Sequence, residues 1–426
     1  IGSCCSSNLL IVKRLLVLLS IVSPTFMVSC SNRGAGDPLS IPYVKEILSD
    51  TTSVPFQTVK HSGDSGSDGP ITLVGPAEDV IFLADEFLGC DHFDNVDGRQ
   101  VPDGLPDFAG ETISLICDEA NGPYYGYMEK GNETYLKELT VKNFISAVDT
   151  SCAFSQYDRD TKVHKSSSKV VVLTSSYTSA YGYDDIEALV KGTGSEIDVI
   201  SPVHAMFRYA MKRHGGDKAE LAVWTTSEIL GSGVYATVLE GMQKEYPSLK
   251  YKSVCPDEAG TMKKRMLSFL EMCKESGQKT KIDAVLVDAM PLRADSLNAL
   301  FCRLKDNADD SIASYSNILS DDFEFIDSRI ATAAECISYL RRTNGFTHRV
   351  AYPAMEMYAV MPMPDMPADK YLSPDCYTDE YKYNRASGSD KESFLTVELN
   401  DRDITESQYG FMKQYAHKTY EKYVSK

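Results

Sequence analysis

The feature that most constrains this chain is a repeated alternation of short β-branched runs, apolar on both faces, with longer stretches of helical spacing. Lys169-Val170-Val171-Val172-Leu173-Thr174 is the clearest such run. Val80-Ile81-Phe82-Leu83-Ala84, Ile197 to Ile200, Glu220 to Thr225, Leu249 to Val254 and Ile282 to Val287 repeat it. Glu133 to Val148, Val203 to Arg213, Val234 to Glu245 and Thr261 to Glu275 carry the helical spacing between them. A strand without a polar face must be covered on both sides, and a mostly parallel sheet with helices on each face provides that. The expected class is therefore α/β, with two Rossmann-like lobes of parallel strands flanked by helices. The expected boundaries are a first lobe over 78–200, a second over 201–345 and a C-terminal extension over 346–426.

The N-terminus carries a different signal. Lys13 and Arg14 precede the apolar run Leu15 to Val22, and Thr25-Phe26-Met27-Val28-Ser29-Cys30 follows. This is a basic segment, an apolar segment too short to span a bilayer, and a small residue before a cysteine. It resembles the lipobox of bacterial lipoproteins, which implies a signal peptide over 1–29 and lipidation of Cys30. Ser, Gly, Thr and Pro dominate from Ser31 to Gly75, with His61 to Gly69 the least foldable tract, so 30–77 is expected to be a flexible tether. The expected location is the cell envelope, periplasmic or surface, with the membrane reached through the lipid. The net charge is −18, and −20 once residues 1–29 with Lys13 and Arg14 are removed, which argues against nucleic acid as a partner. The cysteines from Cys90 to Cys376 show no CxxC spacing; disulfides in an oxidising compartment and buried thiols both fit them.

In parallel sheets ligands bind beyond the carboxyl ends of the strands, so the loops opening at Asp85, Ser175, Thr225 and Asp288 are the candidate site. Taken in order, those loops resemble the glutamate racemase branch of the aspartate/glutamate racemase superfamily. Leu173 to Asp184 resembles the family segment in which a catalytic Cys-Asn-Thr precedes Ala-Ser and a helix. Asp118 to Tyr124 resembles its Asp-Thr-Ala-x-x-Pro-Tyr turn. Ile197 to Pro202, then Ala222-Val223-Trp224-Thr225-Thr226 and Ser232-Gly233-Val234-Tyr235, resemble the crossover and the Thr…Ser-Gly-x-Tyr loop of the second lobe. Phe325-Ile326-Asp327-Ser328 with Ala331-Thr332-Ala333 resembles the closing helix start. The match runs from about Val80 to Arg342 and leaves out the Cys90 to Gly110 insertion and everything beyond Thr343.

The family exchanges an α-proton between two cysteine thiolates facing each other across the carbon. The resemblance puts Ser175 and Val287 at those two positions, and neither a lone serine nor a valine can do this work. What it retains is a substrate cleft: Asp85 and Glu86 for an ammonium or as a base, and Ser175, Ser176 and Tyr177 as hydroxyl donors to a carboxylate. Tyr124, Thr225, Thr226 and Asp288 join them, and Asp85, Tyr124, Ser175, Thr226 and Asp288 are expected to meet in one pocket. The reading is thus a degenerate or repurposed racemase-like domain binding a small, carboxylate-bearing ligand between its lobes. An active isomerase or hydrolase with non-cysteine bases such as Asp85 or Asp288 stays open. So does a type I periplasmic solute-binding lipoprotein, whose chain would pass between lobes three times.

Other chemistries find no footing. The acidic stretch from Asp91 to Asp107 lacks EF-hand spacing, since Phe93 sits at the third position, and no histidines form an HxxxH pair. No Walker loop, GxGxxG or Gly-x-Ser-x-Gly occurs, so neither a metal nor an organic cofactor is expected.

Overall fold

A computed structural model describes residues 41–64, 66–95, 99, 101–256, 259–276, 280–307, 310–388, 394–399 and 404–424. The basic and apolar N-terminal segments and Cys30 lie outside the described residues. The first sheet has the strand order β4-β3-β14-β11-β2-β1-β5-β6. These strands are β1 (Ile71–Pro76), β2 (Thr112–Asp118), β3 (Ser151–Ser155), β4 (Asp158–His164), β5 (Val170–Leu173), β6 (Asp198–Ile200), β11 (Ala354–Pro362) and β14 (Phe394–Glu398). From β11 to β6 all neighbours are parallel, with Leu73 opposite Leu115 and Val172. The second sheet, ordered β10-β9-β7-β8, is wholly parallel and is built from β7 (Leu221–Thr225), β8 (Tyr251–Val254), β9 (Ile282–Asp288) and β10 (Leu319–Asp327). β12 (Tyr371–Ser373) and β13 (Cys376–Tyr377) form a separate ribbon.

The expected burial on both faces is visible residue by residue. Leu73, Leu115 and Val172 point into one core with Leu83, Phe87 and Ile337, while Val74, Ile116 and Val171 point into another with Phe144 and Ile186. The first of these cores continues through Val223, Leu286 and Ile326 of the second sheet, so one apolar body joins both. In the other face of that sheet Trp224 stacks on Phe269 with ring centroids 5.0 Å apart.

Three expectations need correction. Val80 to Ala84 is not a strand but part of the helix Ala77–Gly89, and the first strand is Ile71–Pro76. That helix is buried from Val80 to Leu88, so it has no polar face, and a short apolar run does not distinguish such a helix from a strand. The stretch 30–77 is not a continuous tether, because Pro42–Ser49 and Val54–Lys60 are helices. Ile41, Val44, Ile47, Phe56 and Val59 bury a stripe in the core on one side of the first sheet, where the two helices pack on the helices Glu133–Val148 and Tyr183–Thr193, and each starts with proline in its first turn, the second capped by the Ser53 hydroxyl. The segment 346–426 is not outside the lobes: β11 inserts beside β2, and β14 pairs antiparallel with β11, so the first sheet is completed from the C-terminal end. The cysteines from Cys90 to Cys376 are all free thiols.

Candidate functional site

Parallel strands bring their carboxyl ends to one edge, and here the edges of both sheets border a cleft of about 520 Å³. From the first sheet come Asp79, after β1, and Thr174, Ser175, Ser176 and Tyr177, after β5. The second sheet contributes Thr226 and Glu228 after β7, Asp288 at the end of β9, and Asp327, Ser328 and Arg329 at the end of β10. Tyr125 and Glu129, on the short helix Tyr125–Glu129, complete the rim, and Phe82, Leu83, Ile229 and Leu292 give apolar wall. The close approach of β1 to β5 needs Gly75. A Cβ there would sit 2.3 Å from the Thr174 hydroxyl, with φ at +156.

Two carboxyls mark the floor. Asp79 has its pKa pushed up to about 7, first by burial and then by the charge of Asp288, with the Ser175 hydroxyl pulling the other way. Asp288 is also raised by burial, opposed by hydrogen bonds from Ser176 and from Tyr235, whose hydroxyl donates at 2.9 Å. The two acids thus differ in surroundings: Asp79 is pressed upward by burial and by a neighbouring charge as well, whereas the rise at Asp288 is opposed by two hydroxyl donors. Tyr181 donates to the Ser232 carbonyl at 2.7 Å, tying the β5 loop to the short helix Ser227–Ser232 after β7.

One wall of the cleft carries a different electrostatic arrangement. The guanidinium of Arg329, fully buried, bonds Glu86 and Asp327 at 2.8 Å each. Its Nε has no partner among the described residues. Asp327 also accepts the backbone N–H of Ala294 at 2.8 Å and of Ile330 at 3.0 Å, and these bonds with Arg329 hold its carboxyl below the usual range despite burial.

Ser175, Ser176, Tyr177, Thr226 and Asp288 therefore meet in one cleft, as expected, but Asp85, Glu86, Tyr124 and Thr225 do not line it. Asp85 is buried on the far turn of its helix, bonded to Arg293 at 3.1 Å and to the Lys418 N–H at 2.6 Å. Glu86 is occupied by Arg329 and by His92 at 2.8 Å. Tyr124 donates to Asp118 inside the core at 2.7 Å, and Thr225 turns its hydroxyl to the Asp288 carbonyl at 3.2 Å. Because the first strand is Ile71–Pro76, the acid that follows it into the cleft is Asp79, six residues before Asp85. Asp79, Glu129, Glu228, Asp327 and Arg329 were missed. For Asp79 the signal existed, since it follows the Ile71-Thr72-Leu73-Val74 run, and for Asp327 it lay in the Phe325-Ile326-Asp327-Ser328 segment; for Glu129, Glu228 and Arg329 none was present in the sequence alone.

No family model matches the chain, and no curated protein matches it. Among solved structures it is similar to glutamate racemase isoform RacE1 from Bacillus anthracis, at 16% identity over 68% of this chain and 89% of that one, with a TM-score of 0.38. It is similar also to glutamate racemase from Francisella tularensis in complex with D-glutamate, at 14% identity over 71% and 90%, TM-score 0.38. A third is glutamate racemase from Aquifex pyrophilus, at 17% identity over 72% and 90%, TM-score 0.35.

Proposed function

We propose that this chain is an exported, lipid-anchored protein whose racemase-like domain lacks two-thiol chemistry and binds a small, carboxylate-bearing ligand in the cleft between its sheets. The observation that carries the reading is convergence: hydroxyls from Ser175, Ser176 and Thr226 and carboxyls from Asp79 and Asp288 reach one cavity of ligand size from both sheets. The lining contains no cysteine, so no thiolate is available to move a proton. The ligand's polar groups are assigned to the cleft's hydroxyls and acids together. Differential scanning fluorimetry on the whole folded region, against amino acids, dicarboxylates and peptidoglycan fragments, tests this. Saturable stabilisation lost in S176A is the expected result, and a panel without any stabilising member rejects it. Lipidation is tested separately by mass spectrometry of the N-terminal peptide, with C30A expected to release the protein from membranes.

A second reading, active acid–base catalysis, is favoured by the Asp79–Asp288 pair. Asp79, raised to about 7, can exchange a proton near neutral pH, and Asp288 shares the cleft with it, as general acid–base chemistry needs. Exchange of solvent deuterium into the α-position of a bound amino acid, abolished in D288N, supports this reading; binding without exchange removes it. The solute-binding alternative meets a topological obstacle. The chain crosses between sheets after β6 and again after β10, two passes where that arrangement needs three.

A further inference from the structure

The charge of the cleft does not suit the ligand that its hydroxyls alone suggest. Asp79, Glu129, Glu228, Asp288 and Asp327 line it, and the cation among them is Arg329. That guanidinium is fully buried and bound on both terminal nitrogens by Glu86 and Asp327, so it offers no exposed charge to a ligand's carboxylate. Asp327 is consumed by the same network. The remaining acids differ in a telling way: no cationic side chain pairs with Asp79, Asp288, Glu129 or Glu228 among the described residues.

Their placement adds a second observation. Glu129 ends the short helix Tyr125–Glu129 on the side of the first sheet, and Glu228 opens the helix Ser227–Ser232 on the side of the second. These two helices pack against each other at the rim, so one exposed carboxylate comes from each side of the opening. Asp79 and Asp288 stand on the floor below, also one from each sheet. Tyr125 and Tyr177 also line the cleft and supply aromatic wall. A molecule with a positive group at either end, or one positive group and a long apolar arm, meets acids at both depths and aromatic and apolar wall between.

We infer, on the premise that the cleft is a ligand site, that its ligand is a small organic cation: an amine or guanidinium compound such as a basic amino acid or a diamine, with its distal cation between Glu129 and Glu228. No group of three His, Cys, Asp or Glu side chains among the described residues is gathered closely enough to hold a metal, which separates this site from an inorganic cation site. A basic amino acid carries a carboxylate and still enters with net positive charge.

The experiment is calorimetry at pH 8 on the full folded chain with a charge-matched set: lysine, ornithine and arginine of both hands, agmatine, glutamate, norleucine and calcium chloride. The expected result is binding by the cationic organic members. E129Q and E228Q, both at exposed positions, should each weaken it by about two- to fivefold, the size of a solvent-screened charge pair. D288N should weaken it by about tenfold or more, since its partner is desolvated. Glutamate or norleucine binding as tightly as lysine overturns the inference and leaves the proposed ligand site standing. Calcium binding with no organic cation bound overturns it too, as does binding by the basic members that E129Q and E228Q leave unchanged. If nothing organic of any charge binds, the ligand-site reading falls and the inference falls with it.

Discussion

The two ends of the helix Ala77–Gly89 present acids in opposite circumstances. At its C-terminal end Asp85 and Glu86 are buried and fully engaged, by Arg293, the Lys418 N–H, Arg329 and His92. At its N-terminal end Asp79 borders a cavity, is pressed by Asp288 rather than relieved by a cation, and holds its proton up to about 7. The paired acids fix the second sheet's arginines against the first sheet's helix and so set the cleft's shape. The unpaired ones are left with a cost that only a ligand or a proton can offset. Burial alone would not have separated them; the presence of a counter-charge does.

If that distinction holds, the largest effect belongs to the paired end. R329M leaves Glu86 and Asp327 buried without a counter-ion and should cost about 3–5 kcal/mol in urea unfolding. A loss under 1 kcal/mol would mean the network is not structural. D85A removes two hydrogen bonds to a charged acceptor and should cost about 1–3 kcal/mol, with the C-terminal helix His417–Val424 exchanging its amides sooner. The unpaired end should respond with the opposite sign. Because the folded-state pKa of Asp79 is raised, its protonated form is the compatible one, and stability tied to it is present below about pH 4 and lost as pH rises through about 7. D79N should therefore raise the melting temperature by about 1–3 °C at pH 8 and leave it unchanged at pH 4. Destabilisation at pH 8 would break the comparison. Binding of a cation favours ionised Asp79, so affinity should climb as pH passes upward through about 7. Smallest of all, E129Q and E228Q should shift unfolding by less than about 0.5 kcal/mol, as exposed substitutions do.

The α/β class and most of the central elements were legible because a fully buried strand has no other way to be written. Val170 to Leu173 and the helix Glu133–Val148 fall where their patterns put them. What failed did so for physical reasons. Val80 to Leu88 is buried on every side, and composition then overrides periodicity as a guide. The helix Pro42–Ser49 was hidden in a stretch rich in Ser, Gly and Pro, although Ile41, Val44 and Ile47 carry its spacing. Ser175, Ser176 and Asp288 could be assigned because strand ends announce themselves. Arg329 could not, since its meaning depends on Glu86, 243 positions away.

The insertion of β11 and β14 has a consequence for the order in which the protein is made. β2 emerges early from the ribosome, but the strand that covers its outer edge begins only at Ala354, and the one beyond that at Phe394. Until then β2 offers a bare row of amides and carbonyls, and the first half of the polypeptide has no finished layer to settle into. The first sheet therefore closes only after residues more than two hundred positions downstream of β2 have been made. A premature stop after residue 345 would leave an adhesive edge in place of a closed sheet.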